Sequence, residues 1–161
     1  MALILLSVPL RLAAHPRFGS LAGDGDAVWP RRSDSKGGAL ASVLYVDDER
    51  AIGRALRSWL SRRGHVVFTA ASIEEAQKIL GTSQVDGAFI DLWLGKERGF
   101  DLFEWLALNR PRVAANAVFV TGDVVPDRTV QKALDAYTRP VLVKPFELSE
   151  LEVIVRGWDA K

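Results

Sequence analysis

Val85-Asp86-Gly87-Ala88-Phe89-Ile90-Asp91-Leu92-Trp93-Leu94 is the stretch that decides the fold. Ala88, Phe89 and Ile90 have no alternating polar partner, so the run reads as a strand buried on both faces. Asp91 sits where that strand ends. A carboxylate there is costly unless a metal, a cation or a hydrogen-bond donor meets it. Taken alone, an aspartate after a strand is ordinarily a turn or cap residue. The company Asp91 keeps along the chain argues for more.

Working outward, four further apolar runs have the same character: Val43 to Val46, His65 to Thr69, Ala117 to Val120 and Val141 to Val143. Helical spacing lies between them. Ile52, Ala55, Leu56, Trp59 and Leu60 share one face, and Gly64 stops that helix. Ser72-Ile73-Glu74-Glu75 reads as a capping box, with Ile73, Ala76, Ile79 and Leu80 inward and Gly81 at the end. A loop from Gly95 to Arg98 precedes Gly99 and a helix carrying Phe100, Phe103, Leu106 and Ala107, closed by Pro111. Val130, Ala133, Leu134 and Tyr137 form the next inward stripe, and Leu148, Leu151, Ile154 and Val155 the last. His65 reads as a half-exposed strand residue. Five short strands alternating with five helices predict a parallel α/β sheet covered on both faces, with right-handed crossovers.

Residues 1–41 look different, and residues 42–161 form the expected domain. The apolar Ala2 to Ala14 segment is broken by Pro9 and Arg11 and is too short to span a bilayer. It lacks the positive start of a signal peptide. The stretch that follows, rich in Gly, Pro, Ser, Asp and Arg, reads as a disordered leader. That leader is expected to be a functionless tail or an over-extended reading frame.

Composition excludes several chemistries. The chain has 161 residues and a net charge of +1, so no strong field favours nucleic acid or a membrane. It has no cysteine, which removes disulfides and thiolate chemistry and permits a cytoplasmic setting. With only His15 and His65, a histidine metal site is not expected.

Ligands of open parallel sheets bind at the carboxyl ends of the strands. There the sequence places Asp47 and Asp48, Asp91, Thr121 and Lys144. Oxygen donors without His or Cys suit a hard divalent ion, magnesium above all. Two carboxylates about 4 Å apart repel by roughly 4 kcal/mol at an effective dielectric of 20, so the cluster needs a cation. With a metal, an amine, a hydroxyl and room beside Gly122, the set suits in-line phosphoryl transfer to a carboxylate.

Residues 42–158 then resemble the receiver domain of two-component response regulators, including receivers attached to hybrid histidine kinases. The resemblance rests on Val43-Leu44-Tyr45-Val46-Asp47-Asp48-Glu49, on Asp91 with Gly99 eight residues on, on Phe119-Val120-Thr121-Gly122, and on Lys144-Pro145-Phe146. It implies a flavodoxin-like, doubly wound sheet with strand order 2-1-3-4-5. It implies Asp91 as phosphoacceptor, and magnesium held by Asp48, Asp91 and the backbone carbonyl of Trp93, with Asp47 acting through water. Thr121, Gly122 and Lys144 would bind the phosphoryl group, with Lys144-Pro145 a cis junction. Trp93 and Asp123 would flank the approach of the hydrolytic water. The implied partners are a histidine kinase or histidine phosphotransfer protein, an unidentified downstream protein, and a second copy of the chain on phosphorylation. No activity beyond phosphoryl uptake and its slow reversal by water is expected.

Two positions depart from the family pattern. Gly95 replaces a common proline, which predicts a looser loop, and Val141 replaces the usual switch aromatic. Tyr137 is close by, but its spacing favours core packing. A rival reading is a pseudo-receiver acting as a constitutive interaction module; Asp91, Thr121 and Lys144 argue against it. A phosphatase of the aspartyl-phosphate class would need a second aspartate where this chain has Trp93.

Overall fold

A computed structural model describes residues 41–122 and 128–158. The expected leader, apart from Ala41, and Asp123 lie outside the described residues. Ala41 itself is buried in the domain core.

Five strands form one parallel sheet: β1 (Ser42–Val46), β2 (Val66–Ala70), β3 (Gly87–Asp91), β6 (Ala117–Thr121) and β7 (Val141–Val143). Their order is β2-β1-β3-β6-β7, the flavodoxin-like order that the resemblance implied. The three central strands are buried at every position, which explains why they read as continuous apolar runs. The edge strands β2 and β7 are only partly covered.

Two cores fill the faces of the sheet. One lies under α1 (Arg50–Ser61) and α6 (Leu148–Trp158) and includes Tyr45, Phe89 and Leu151. The other lies under α2 (Ile73–Thr82), α3 (Gly99–Asn109), α4 (Pro111–Ala115) and α5 (Arg128–Tyr137) and includes Ile90, Phe100 and Phe119. Phe119 meets Phe100 and Phe103 edge-on at 5.0 and 5.3 Å. Tyr137 packs against both phenylalanines, as its spacing predicted, and its hydroxyl donates to Glu104 of α3. Each fully buried aromatic of this kind stabilises the fold by roughly 1.5–3 kcal/mol.

Helix ends follow local chemistry. Left-handed Gly64 (φ 90°) lets its own N–H reach the Ser61 carbonyl and the His65 N–H reach Leu60, both at 3.1 Å. Ser72 caps α2 by accepting from the Glu75 N–H at 3.2 Å. The Glu75 carboxylate takes the Ala71 N–H at 2.9 Å, one residue earlier than the expected box.

Several expectations change. His65 is buried, because the tight turn at Gly64 folds it under the sheet before β2 begins at Val66. Helix α2 continues through Gly81 to Thr82. Ala55 and Ala107 face solvent, whereas Gly53 and Leu102 are buried, so the apolar stripes are rotated slightly from the predicted ones. Pro111 does not only end α3; it occupies the first turn of α4, where its missing N–H is harmless. The predicted loop from Gly95 to Arg98 is part of a hairpin, β4 (Trp93–Leu94) against β5 (Glu97–Arg98). Gly95 (φ 63°) opens its two-residue turn, so glycine there tightens the segment.

Candidate functional site

The strand ends are brought into register by backbone hydrogen bonds. Asp47 donates to Ala70, Leu92 to Val120 and Lys144 to Thr121, at 3.0, 2.9 and 2.7 Å. With the β1–β3 pairing, which sets Val46 beside Ile90, these bonds align the ends of all five strands on one edge of the sheet.

Asp47 and Asp91 end the two neighbouring central strands, and the Lys144 ammonium bridges them. It lies 2.8 Å from Asp47 Oδ2 and 2.7 Å from Asp91 Oδ2. The side chains are 15%, 0% and 8% exposed for Lys144, Asp47 and Asp91. The cation that the carboxylates require is thus supplied by the chain itself, and the expected repulsion between them is relieved. Lys144 also approaches Glu49 at 3.3 Å, a contact weakened by solvent. The lysine is carried on the cis Lys144–Pro145 junction.

The remaining oxygens are also held. Asp91 Oδ1 accepts the Trp93 N–H at 2.9 Å. Asp47 Oδ1 accepts the Glu49 N–H at 2.8 Å, and its Oδ2 accepts the Tyr45 hydroxyl at 2.7 Å. Burial pushes the Asp91 carboxyl above the ordinary carboxylate value; the Lys144 and Trp93 donors oppose this and Asp47 adds to it. Burial acts to lower Lys144, but its hydrogen bonds to Asp47 and Asp91 and their charges outweigh it and hold the amine high. The two shifts are compatible: the ion pair favours charge on both groups, and burial overrides it only at Asp91.

Thr121 is buried at the end of β6, and a Cβ on Gly122 beside it would meet nothing within 4 Å among the described residues. Asp48 is exposed, outside the ion pairs, because successive residues at a strand end face opposite ways. The structure therefore brings Asp47, Asp91 and Lys144 into direct contact and places Asp48 at the mouth. Gly99 packs onto the backbone of Asp91; a Cβ there would lie 2.0 Å from the Asp91 carbonyl oxygen. The Gly99 N–H in turn donates to the Leu92 carbonyl at 3.0 Å. Trp93 stands opposite Arg98 in the hairpin. The Trp93 N–H meets Asp91 Oδ1.

Among the described residues, no three acidic or histidine side chains come together as a ready metal cluster. Asp48 faces outward and Lys144 lies between the other two carboxylates. The donor types nevertheless fit a hard cation, since among the described residues the site offers oxygen donors and no His or Cys. Sequence reasoning gave Tyr45 no role. Its signal was a lone phenol in an aliphatic strand, two residues before Asp47 and so on the same side of the strand.

With this geometry in place, comparison identifies the class. The model of the response regulator receiver domain matches residues 43–156, and the chain belongs to that family. Among curated relatives, the alginate biosynthesis transcriptional regulatory protein AlgB of Pseudomonas aeruginosa is 34% identical over 111 residues. The match covers 69% of this chain and 24% of AlgB, so the chain spans about a quarter of that relative's length. A CheY-like receiver domain protein from Methanospirillum hungatei has a TM-score of 0.64 at 24% identity, covering 74% of this chain and 94% of that one. A response regulator protein from Burkholderia pseudomallei, solved with a phosphorylated aspartic acid, calcium ion and citrate, has a TM-score of 0.63 at 22% identity. That match covers 74% of this chain and 69% of the other, and these two likenesses show the fold. Among the described residues, no helix is long and apolar enough to cross a membrane.

Proposed function

We propose that this receiver takes a phosphoryl group on Asp91 from a histidine kinase or histidine phosphotransfer protein and signals through protein–protein contact in a phosphorelay. The observation that carries this reading is the Lys144 ammonium 2.7 Å from Asp91 Oδ2, at the exit of a buried strand. An Asp91 oxygen attacks the phosphorus of the donor phosphohistidine. The new O–P bond forms as the N–P bond breaks, and the leaving imidazole takes up a proton. Lys144 exchanges its carboxylate contacts for a phosphoryl oxygen, and the Thr121 hydroxyl serves a second, with Gly122 leaving room.

Asp48, Asp91 and the Trp93 carbonyl would hold a magnesium ion, with Asp47 reached through water. The ion would neutralise charge that develops on the phosphoryl oxygens. The residues 42–161 are the unit proposed to do this, in the cytoplasm where kinase and phosphodonor meet it. Phosphorylation-dependent pairing with a second copy is compatible with the exposed Val141 and Val143 of β7.

The test is labelling with acetyl phosphate and magnesium, resolved by phosphate-affinity electrophoresis. Wild type should form one acid-stable, base-labile adduct and Asp91→Asn none, because an amide is not a nucleophile. Adduct retained in Asp91→Asn would move the acceptor elsewhere. A wild type that takes no label but binds partners would favour the pseudo-receiver.

A further inference from the structure

We propose that Tyr45 is the positioning residue of the acidic site: its hydroxyl fixes the Asp47 carboxylate so that Lys144 is able to leave it. This deepens the reading of Asp91 as phosphoacceptor and rests on it.

Tyr45 lies within β1 among Val43, Leu44 and Val46, and is 1% exposed. Its ring packs 6.5 Å from Phe89 and beside Gly53, where a Cβ would already meet Thr69 at 3.2 Å and Tyr45 at 3.7 Å. A phenylalanine would fill the same space with no polar atom to desolvate. Packing therefore explains the ring and leaves the hydroxyl unexplained.

The hydroxyl's partner supplies the explanation. The Asp47 side chain is fully buried, and each oxygen has one donor fixed to β1 or the turn after it. Oδ1 takes the Glu49 N–H at 2.8 Å, and Oδ2 takes the Tyr45 hydroxyl at 2.7 Å. Two fixed donors on two oxygens set the plane of the carboxylate. Lys144, at 2.8 Å, is the third donor and the movable one, on a flexible stem. When it turns to a phosphoryl oxygen, both oxygens of Asp47 keep a hydrogen bond. Without the hydroxyl, departure of Lys144 would strip Oδ2 of its hydrogen bonds inside the protein, which opposes that departure. Packing does not replace the hydroxyl. On the β2 side of Asp47 lies a cavity of about 180 Å³, bounded also by Tyr45, Arg54 and Thr69.

The experiment is Tyr45→Phe in the full chain. Its magnesium Kd, by calorimetry with magnesium chloride, should weaken about tenfold, and acetyl phosphate uptake should slow by about the same factor. The rise in Tm on adding magnesium should shrink as well, a readout that a purely structural hydroxyl would leave alone. In an Asp47→Ala background, Tyr45→Phe should change neither quantity further, because the hydroxyl acts through that carboxylate. Unchanged magnesium affinity and uptake in Tyr45→Phe would overturn the proposal, as would a full additional effect in Asp47→Ala. Loss of the melting transition would also overturn it, since the ring is retained and the hydroxyl would then be serving the fold. Failure of the phosphoacceptor reading looks different: wild type itself takes no label, and the magnesium titration still decides the role of Tyr45.

Discussion

The two halves of the strand-end edge are built differently. On the β1–β3 side, all four oxygens of Asp47 and Asp91 have donors, and Gly99 presses onto the Asp91 backbone. On the β6–β7 side, a Cβ on Gly122 would meet nothing within 4 Å among the described residues, and Val141 is 40% exposed. Tyr137, the nearest aromatic in sequence, is held in the core and turned to Glu104. One half fixes the carboxylate proposed to react; the other has room for a phosphoryl group and for movement. Lys144 belongs to the open half by sequence and to the closed half by contact. A receiver needs both properties, because transfer demands a fixed nucleophile and signalling demands a response.

Removing Lys144 should break this contrast most severely. Lys144→Met leaves two buried carboxylates facing each other, and breaking a buried pair in this way costs about 3 kcal/mol. Urea denaturation in EDTA measures it; a loss below about 1 kcal/mol would show that the bridge is idle. Acidification tests the same bridge from the Asp91 side. Asp91 is raised in the folded chain, so folding strengthens its hold on a proton. Its contribution to stability is complete below the ordinary value of 3.8 and is lost as pH rises through the raised folded value. Wild type should therefore gain stability relative to Asp91→Asn as pH falls through that window. Lys144, also raised, keeps its contribution at every pH below its ordinary 10.5, so it does not blur the result. A pH-independent difference between the two proteins would refute the raised value.

The same substitution can be made on each side. Gly99→Ala places a Cβ 2.0 Å from the Asp91 carbonyl oxygen, so the backbone must shift, at about 2 kcal/mol. Gly122→Ala meets nothing within 4 Å among the described residues and should alter stability by less than about 0.5 kcal/mol. Melting temperatures of the two variants, measured together, check the pair. Equal losses would mean that the open half is packed as tightly as the closed one.

The sequence showed the closed half more fully than the open one, for physical reasons. Strands buried on both faces leave unbroken apolar runs, so Val43–Val46, Ala88–Ile90 and Ala117–Val120 were legible. The polar residue after each run marked the site edge. The hairpin at Trp93–Arg98 was not legible, since two-residue strands are too short to show a period. Helix α4 was hidden behind Pro111, which serves equally as a stop and as a first-turn residue. Asp47 and Asp48 look equivalent as letters, and only the alternation of strand faces separates the buried one from the exposed one. The lysine bridge spans |i−j| = 53 to Asp91 and leaves no local trace.

The remaining expected effect is kinetic and concerns Trp93, on the rim of the closed half. Hydrolysis of an Asp91 phosphate needs a water in line with the O–P bond. The Trp93 backbone is pinned to Asp91 through its N–H, and the hairpin that carries it is tied to α2 by Glu97 accepting from the Ile73 N–H at 3.1 Å. Trp93 is 44% exposed, so the core does not account for its bulk. Its size next to the acceptor should displace the attacking water. Asp123 follows Thr121 by two residues and lies outside the described residues; its carboxylate would orient water yet repel the anionic phosphoryl group. Steric exclusion should dominate, because a water that does not reach phosphorus is not oriented. The proposed aspartyl phosphate should then be long-lived, suited to a slow output or a store within a relay. Trp93→Ala and Trp93→Asn should each speed dephosphorylation about tenfold, equivalent to about 1.4 kcal/mol of barrier. Loss of radiolabel from purified phosphoprotein, in excess magnesium and without kinase, gives the rate. If both variants keep the wild-type rate, the closed half holds the nucleophile without guarding its product, and slow hydrolysis would have to come from the β6–β7 side.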